Sequence, residues 1–162
     1  MMRTVEGTHM AAGFRFAIVV SQYNDFVTER LQAGALAALA AAGVASDDVM
    51  VVHVPGAFEI PFAAQHVAET GRFDAIVCLG CVIRGATPHF EYIALAVANG
   101  LTAASAATGI PMAFGVLTTN SVEEALARAG DGPDNKGREA ALAALQMADV
   151  VAALTKPPAP RP

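Results

Sequence analysis

The chain lacks any cluster of lysine and arginine: its 10 basic residues are scattered among 15 acidic ones, for a formal net charge of −5. That argues against a nucleic-acid or anionic-membrane surface and favours a small-molecule partner. No continuous apolar run approaches the ~20 residues of a membrane-spanning helix, and the N-terminus lacks the basic-then-apolar order of a signal peptide, so a cytoplasmic protein is expected. Cysteine is scarce, with 2 residues, both in Cys78-Leu79-Gly80-Cys81. The spacing is that of a redox pair, but the segment reads as a buried strand instead of the opening of a helix, and cytoplasmic thiols normally stay reduced. With no second cysteine pair and no HExxH spacing, zinc has little support. No GxGxxG or phosphate-loop signature follows a strand, which counts against dinucleotide or ATP binding.

What the chain does have is apolar surface, 54% of its 162 residues, enough for one domain with a substantial core. Residues 1–13 show no sustained periodicity and are expected to be a flexible end, as is the proline-rich tail at 155–162. Residues 14–154 alternate short β-rich runs with longer helical patterns, which points to βαβ units in an α/β fold of three layers, with a four-stranded, mostly parallel sheet flanked by helices. The expected strands lie near Phe14–Ser21, Val49–Val54, Ala75–Cys81 and Met112–Thr118. The expected helices lie near Phe26–Ala42, Glu59–Thr70, Phe90–Thr108, Val122–Ala129 and Lys136–Leu154. Asn24 or Asp25, Thr87, Ser121 and Asn135 can each cap a helix start with a side-chain oxygen, and Gly43 and Gly71 follow two helices as C-caps do. The third helix is apolar nearly all round, from Ile93 to Ala107, so a neighbouring subunit is expected to cover what one small sheet cannot.

In an open parallel sheet, ligands bind beyond the carboxyl ends of the strands, so chemistry is expected in the loops there. The third loop is the richest: in LGCVIRGATPHFEY (79–92) an apolar strand runs into Arg84, Gly85, Thr87, Pro88 and His89. Thr87 before Pro88 reads as an N-cap with proline at the first helical position, a helix end able to hold phosphate. Arg84 can pair with an anion, or with a carboxylate to hold the loop. Tyr23 and Phe58 can flank a planar ring whose edge the Gly56 and Ala57 amides would meet, or they can simply pack.

VPGAFEIPFA (54–63), LGCVIRGATPHFEY (79–92), FGVLTT (114–119) and the RAG…NKG segment (128–137) resemble, in order and spacing, the 6,7-dimethyl-8-ribityllumazine synthase family, and the resemblance covers roughly residues 14 to 154. It implies a flavodoxin-like domain that condenses 5-amino-6-(D-ribitylamino)uracil with 3,4-dihydroxy-2-butanone 4-phosphate, the penultimate step of riboflavin biosynthesis, with no metal and no cofactor. It implies that Tyr23, with Asn24 beside it, stacks on the pyrimidine, that Gly56, Ala57, Phe58 and Glu59 bind the ribityl chain and ring edge, and that Cys81, Val82 and Ile83 line the pyrimidine pocket. It also implies that Ala86 and Thr87 hold phosphate, that His89 moves protons, and that Phe114, Arg128 and Lys136 enter from a neighbouring subunit. A homopentamer as the minimum assembly and functional coupling to riboflavin synthase are further implications. The alternative in another class is a non-catalytic lumazine- or flavin-binding protein or an assembly scaffold.

The chemistry asks for these residue types on its own terms. Amine attack on a ketone, phosphate elimination and ring closure need protons moved near neutrality, which suits histidine; His89 read without the resemblance is equally a solvated first-turn residue. Arg128 offers a planar fork for phosphate, or a cation at a helix end. Lys136 is a second cation or a solvated charge. Two departures from the family pattern stand out: Tyr23 where phenylalanine or tryptophan is more usual, and the Asp131-Gly132-Pro133-Asp134 connector.

Overall fold

The computed structural model describes residues 1–11, 13–156 and 160; most of the proline-rich tail therefore lies outside the described residues. The elements run β1 (Phe16–Ser21), α1 (Asp25–Ala41), β2 (Val49–Val54), α2 (Ile60–Glu69), β3 (Ala75–Ile83), α3 (His89–Thr108), β4 (Met112–Thr119), α4 (Val122–Ala127) and α5 (Lys136–Thr155). Short 3-10 turns at Ser46–Asp48 and Ala57–Glu59 precede β2 and α2. The sheet order is β2-β1-β3-β4, and all three neighbouring pairs are parallel, where a mostly parallel sheet was expected. Each of the three connections between strands passes through a helix, which is what parallel pairing requires.

Strand alternation sorts the core into two layers. On β1, Phe16, Ile18 and Val20 face α1 and α5, whereas Ala17 and Val19 face α2 and α3. β3, buried along nearly its whole length, is apolar on both faces as an interior parallel strand must be. Cys78 faces the α2–α3 layer and Cys81 the α1–α5 layer, so the two thiols lie on opposite sides of the sheet and cannot pair. The architecture is thus the expected α/β flavodoxin-like arrangement. The order reverses between β1 and β3, and that switch point puts a crevice at the carboxyl ends of the strands.

Several helix ends have the expected chemistry. Ser121 Oγ accepts from the Glu124 amide at 3.1 Å, Asn135 Oδ1 accepts from the Arg138 amide at 3.0 Å, and Gly43 and Gly71 take φ of 92° and 72° after their helices. Two caps need correction. Pro88, at φ −70° and ψ 1°, occupies the N-cap position of α3, so Thr87 stands one residue too early and no side chain caps this end. Asn24 occupies the N-cap of α1 but in the left-handed region, φ 62°, instead of the extended conformation that turns a side chain onto the first amides. Within one chain α3 buries only Val97, Leu101 and Ala104, and leaves Leu95 62% exposed. A groove of about 580 Å³ opens beside it, lined by Leu101, Ile110, Met112, Phe114, Met147 and Val151 among others, so its apolar face is uncovered in the isolated subunit.

Candidate active site

Three strand ends build the first cleft. Beyond β1, the Gln22 amide donates to Val54 O at 2.8 Å and the Tyr23 amide to Pro55 O at 3.0 Å, which carries the β1–β2 pairing past the strands and sets Tyr23 against the Pro55–Phe58 loop. Asn24 Nδ2 donates to Cys81 O at 2.9 Å, so the same loop is tied across to β3. That bond explains the left-handed backbone at Asn24: a short amide tolerates it and gains a carbonyl on the neighbouring strand. β3 then leads through Ile83 and Gly85 to Thr87 and His89, the first residue of α3.

The resulting cleft, about 750 Å³, is lined by Tyr23, Asn24, Gly56, Ala57, Phe58, Glu59, Cys81, Val82, Ile83, Thr87 and His89, every residue the resemblance assigns to one chain except Ala86, which lies on the exposed rim between two lining residues. Tyr23 and Phe58, 73% and 63% exposed, offer their rings to whatever enters. Pro55, Gly85, Phe90, Tyr92 and Ile93 also line it. The last three were missed because they read as ordinary helix, yet Phe90 and Ile93, like His89 and Tyr92, lie three apart on α3 and so share its cleft side. Burial pushes the Cys81 thiol up to about 11 and that of Cys78 up to about 12, which keeps both protonated and leaves Cys81 a neutral wall.

Phe114, Arg128 and Lys136 do not reach this cleft. They meet in a second one of about 420 Å³, formed by the exposed edge of β4, the end of α4 and the start of α5. Among the described residues none lines both clefts. Arg128 Nη1 donates to Glu124 O at 3.0 Å, the helix-end contact that its position suggested, while Lys136 Nζ pairs with Glu139 Oε2 at 2.9 Å. Phe114 is half exposed on the edge strand. Arg84 lines neither cleft; its guanidinium turns to Asn120, Glu91 and the Phe90 ring.

A family model described as 6,7-dimethyl-8-ribityllumazine synthase matches residues 13–152. The chain is also 50% identical over 151 residues to the 6,7-dimethyl-8-ribityllumazine synthase of Syntrophus aciditrophicus (strain SB), which spans 93% of this chain and 98% of that one.

Proposed function

The chain belongs to the 6,7-dimethyl-8-ribityllumazine synthase family, and from that premise we propose that each active site is assembled from the first cleft of one subunit and the second cleft of the next. The reaction is the transferase step of riboflavin biosynthesis, condensing 5-amino-6-(D-ribitylamino)uracil with 3,4-dihydroxy-2-butanone 4-phosphate to give the lumazine, phosphate and water. The observation that carries the two-chain reading is the separation of the site residues: His89 and the aromatic pair stand in one cleft, Arg128, Lys136 and Phe114 in another.

In this reading Tyr23 stacks on the pyrimidine. The Gly56 and Ala57 amides with Phe58 and Glu59 hold the ribityl side, and Asn24 acts by fixing the loop to Cys81. The uncapped first turn of α3, with Ala86 and Thr87, leaves backbone amides for the phosphate, and a helix N-terminus favours that negative charge. Arg128 of the adjacent subunit supplies the bidentate cation, with Lys136 beside it. His89 then takes a proton from the attacking amine and delivers that proton to the hydroxyl that leaves as water. The family works as an oligomer; we assign this chain a pentamer, located in the cytoplasm, with riboflavin synthase consuming its product. Among the described residues no helix is long and apolar enough to cross a membrane.

The test uses two variants, each followed by lumazine fluorescence. His89→Ala and Arg128→Ala should each lower turnover by about 10²–10⁴-fold if proton transfer and phosphate binding limit the rate. Co-refolded mixtures, with composition verified by native mass spectrometry, should regain activity, because some contacts then join an intact His89 to an intact Arg128. Hybrids no more active than the average of the two parents would refute the two-chain site.

A further inference from the structure

We propose that Arg84 and Asn120 are a positioning pair for His89, so that the arginine closest in sequence to the phosphate end of the cleft acts on the protein and not on phosphate. The inference rests on the proton-transfer role assigned to His89 above.

Three contacts converge on the Arg84 guanidinium. Its Nε donates to Asn120 Oδ1 at 2.9 Å, its Nη1 lies 3.7 Å from Glu91 Oε1, and its central carbon sits 4.9 Å from the Phe90 ring centre. Phe90 and Glu91 are the two residues that follow His89 in the first turn of α3. One side chain therefore grips the turn that carries His89 and fastens it to the loop after β4. The backbone repeats the link, since the Arg84 amide donates to Thr119 O at 2.8 Å. Asn120 is itself held, because its amide donates to Glu124 Oε2 at 2.9 Å.

The fastening matters because the intervening loop has little else. Among the described residues Gly85, Ala86 and Thr87 donate no hydrogen bond, and the first turn lacks a side-chain cap. Arg84 and Asn120 line neither cleft, although Ile83 and Gly85 on either side of Arg84 line the first. The geometry also needs arginine in particular. A planar guanidinium can lay its face on Phe90 while Nε donates in plane to Asn120; a lysine ammonium can do one or the other. The exposed Glu91 pair adds little by itself, so the Asn120 bond and the Phe90 contact carry the positioning.

Asn120→Ala removes the anchor without touching the cleft. We expect turnover to fall roughly tenfold, as small displacements of a reacting group do, with the Michaelis constant for the pyrimidine unchanged and the calorimetric affinity for inorganic phosphate lowered by the same factor in Asn120→Ala and Arg84→Lys, since both loosen one turn. Arg84→Lys should behave like Asn120→Ala, the double variant should be no worse than either single one, and Asn120→Asp, which keeps an oxygen for Nε, should restore turnover. In a His89→Ala background Asn120→Ala should have no further effect. Wild-type turnover in Asn120→Ala, additive losses, or a further tenfold loss without His89 would each overturn the pair. So would a loss of phosphate affinity on Arg84→Ala at least tenfold greater than on Asn120→Ala, which would make Arg84 a phosphate ligand. Wild-type turnover in His89→Ala itself would instead bring down the proton-transfer role, and the inference with it.

Discussion

Cys78 has no exposed surface, and its thiol is pushed up to about 12 because the interior cannot solvate a thiolate. The consequence is a pH dependence of stability with a definite sign. Below pH 9, the ordinary value, folded and unfolded chains both hold the proton. Above it the unfolded chain releases a proton that the fold retains, so stability declines as pH rises from about 9 toward about 12, by about 1.4 kcal/mol per pH unit for one such group. Cys78→Val should flatten part of that decline in urea titrations at pH 8, 9 and 10 at fixed protein concentration; parallel curves for variant and wild type would show that Cys78 is not the source. At this scale the sequence was readable where chemistry is local. The cleft-lining role of His89, Thr87, Tyr23 and Phe58 followed from residue type and loop position. The contacts of Arg84 did not, because Asn120 comes 36 residues later and only the β3–β4 pairing makes them neighbours.

The start of α5 shows what a helix needs beyond its periodicity. Asn135 was legible as a cap, and it does cap, but its Nδ2 also donates to Gly130 O at 2.8 Å and Arg30 O at 3.2 Å, so one buried side chain joins three segments. Gly137 lies where α5 crosses α1, and a Cβ there would collide with the Leu31 carbonyl. The glycine is required by a close approach of backbones, not by an unusual φ. Gly137→Ala should therefore destabilise the subunit by about 1–3 kcal/mol, as overpacking does, and should weaken catalysis by displacing Lys136; an unchanged urea midpoint would mean that the two helices separate without cost. Among the described residues, the alternation of short β-rich runs with longer helical patterns located the four strands and five helices to within a few residues, although β1 and β3 are buried on both faces. The start of α3 misled because Thr-Pro is a strong cap signal, yet Pro88 itself took the boundary position with ψ near zero.

For the whole molecule, a phosphate site spanning two chains predicts that inorganic phosphate binds the assembly better than the unfolded chain. It should raise the melting temperature by mass action, about 2.7 kcal/mol of stabilisation at a hundred times its dissociation constant. Arg128→Ala should abolish the shift, and an equal shift in the variant, measured by scanning calorimetry, would exclude Arg128 from the site. The strand–helix alternation made the fold legible, but the second cleft was not: Phe114, Arg128 and Lys136 stand on an edge strand and two helix ends, and nothing local in the sequence says that they converge. In the proposed two-chain site each chain carries the two halves as different patches, so symmetry sets how many sites an assembly holds. A twofold contact could join unlike halves only reciprocally, two sites to a dimer and no larger ring. A heterologous, head-to-tail contact joins one pair of unlike halves at a time, and it must close on itself or grow without limit. An open row of n chains then holds n − 1 sites, and closing the ring adds the last, so turnover per chain reports whether the circle is complete.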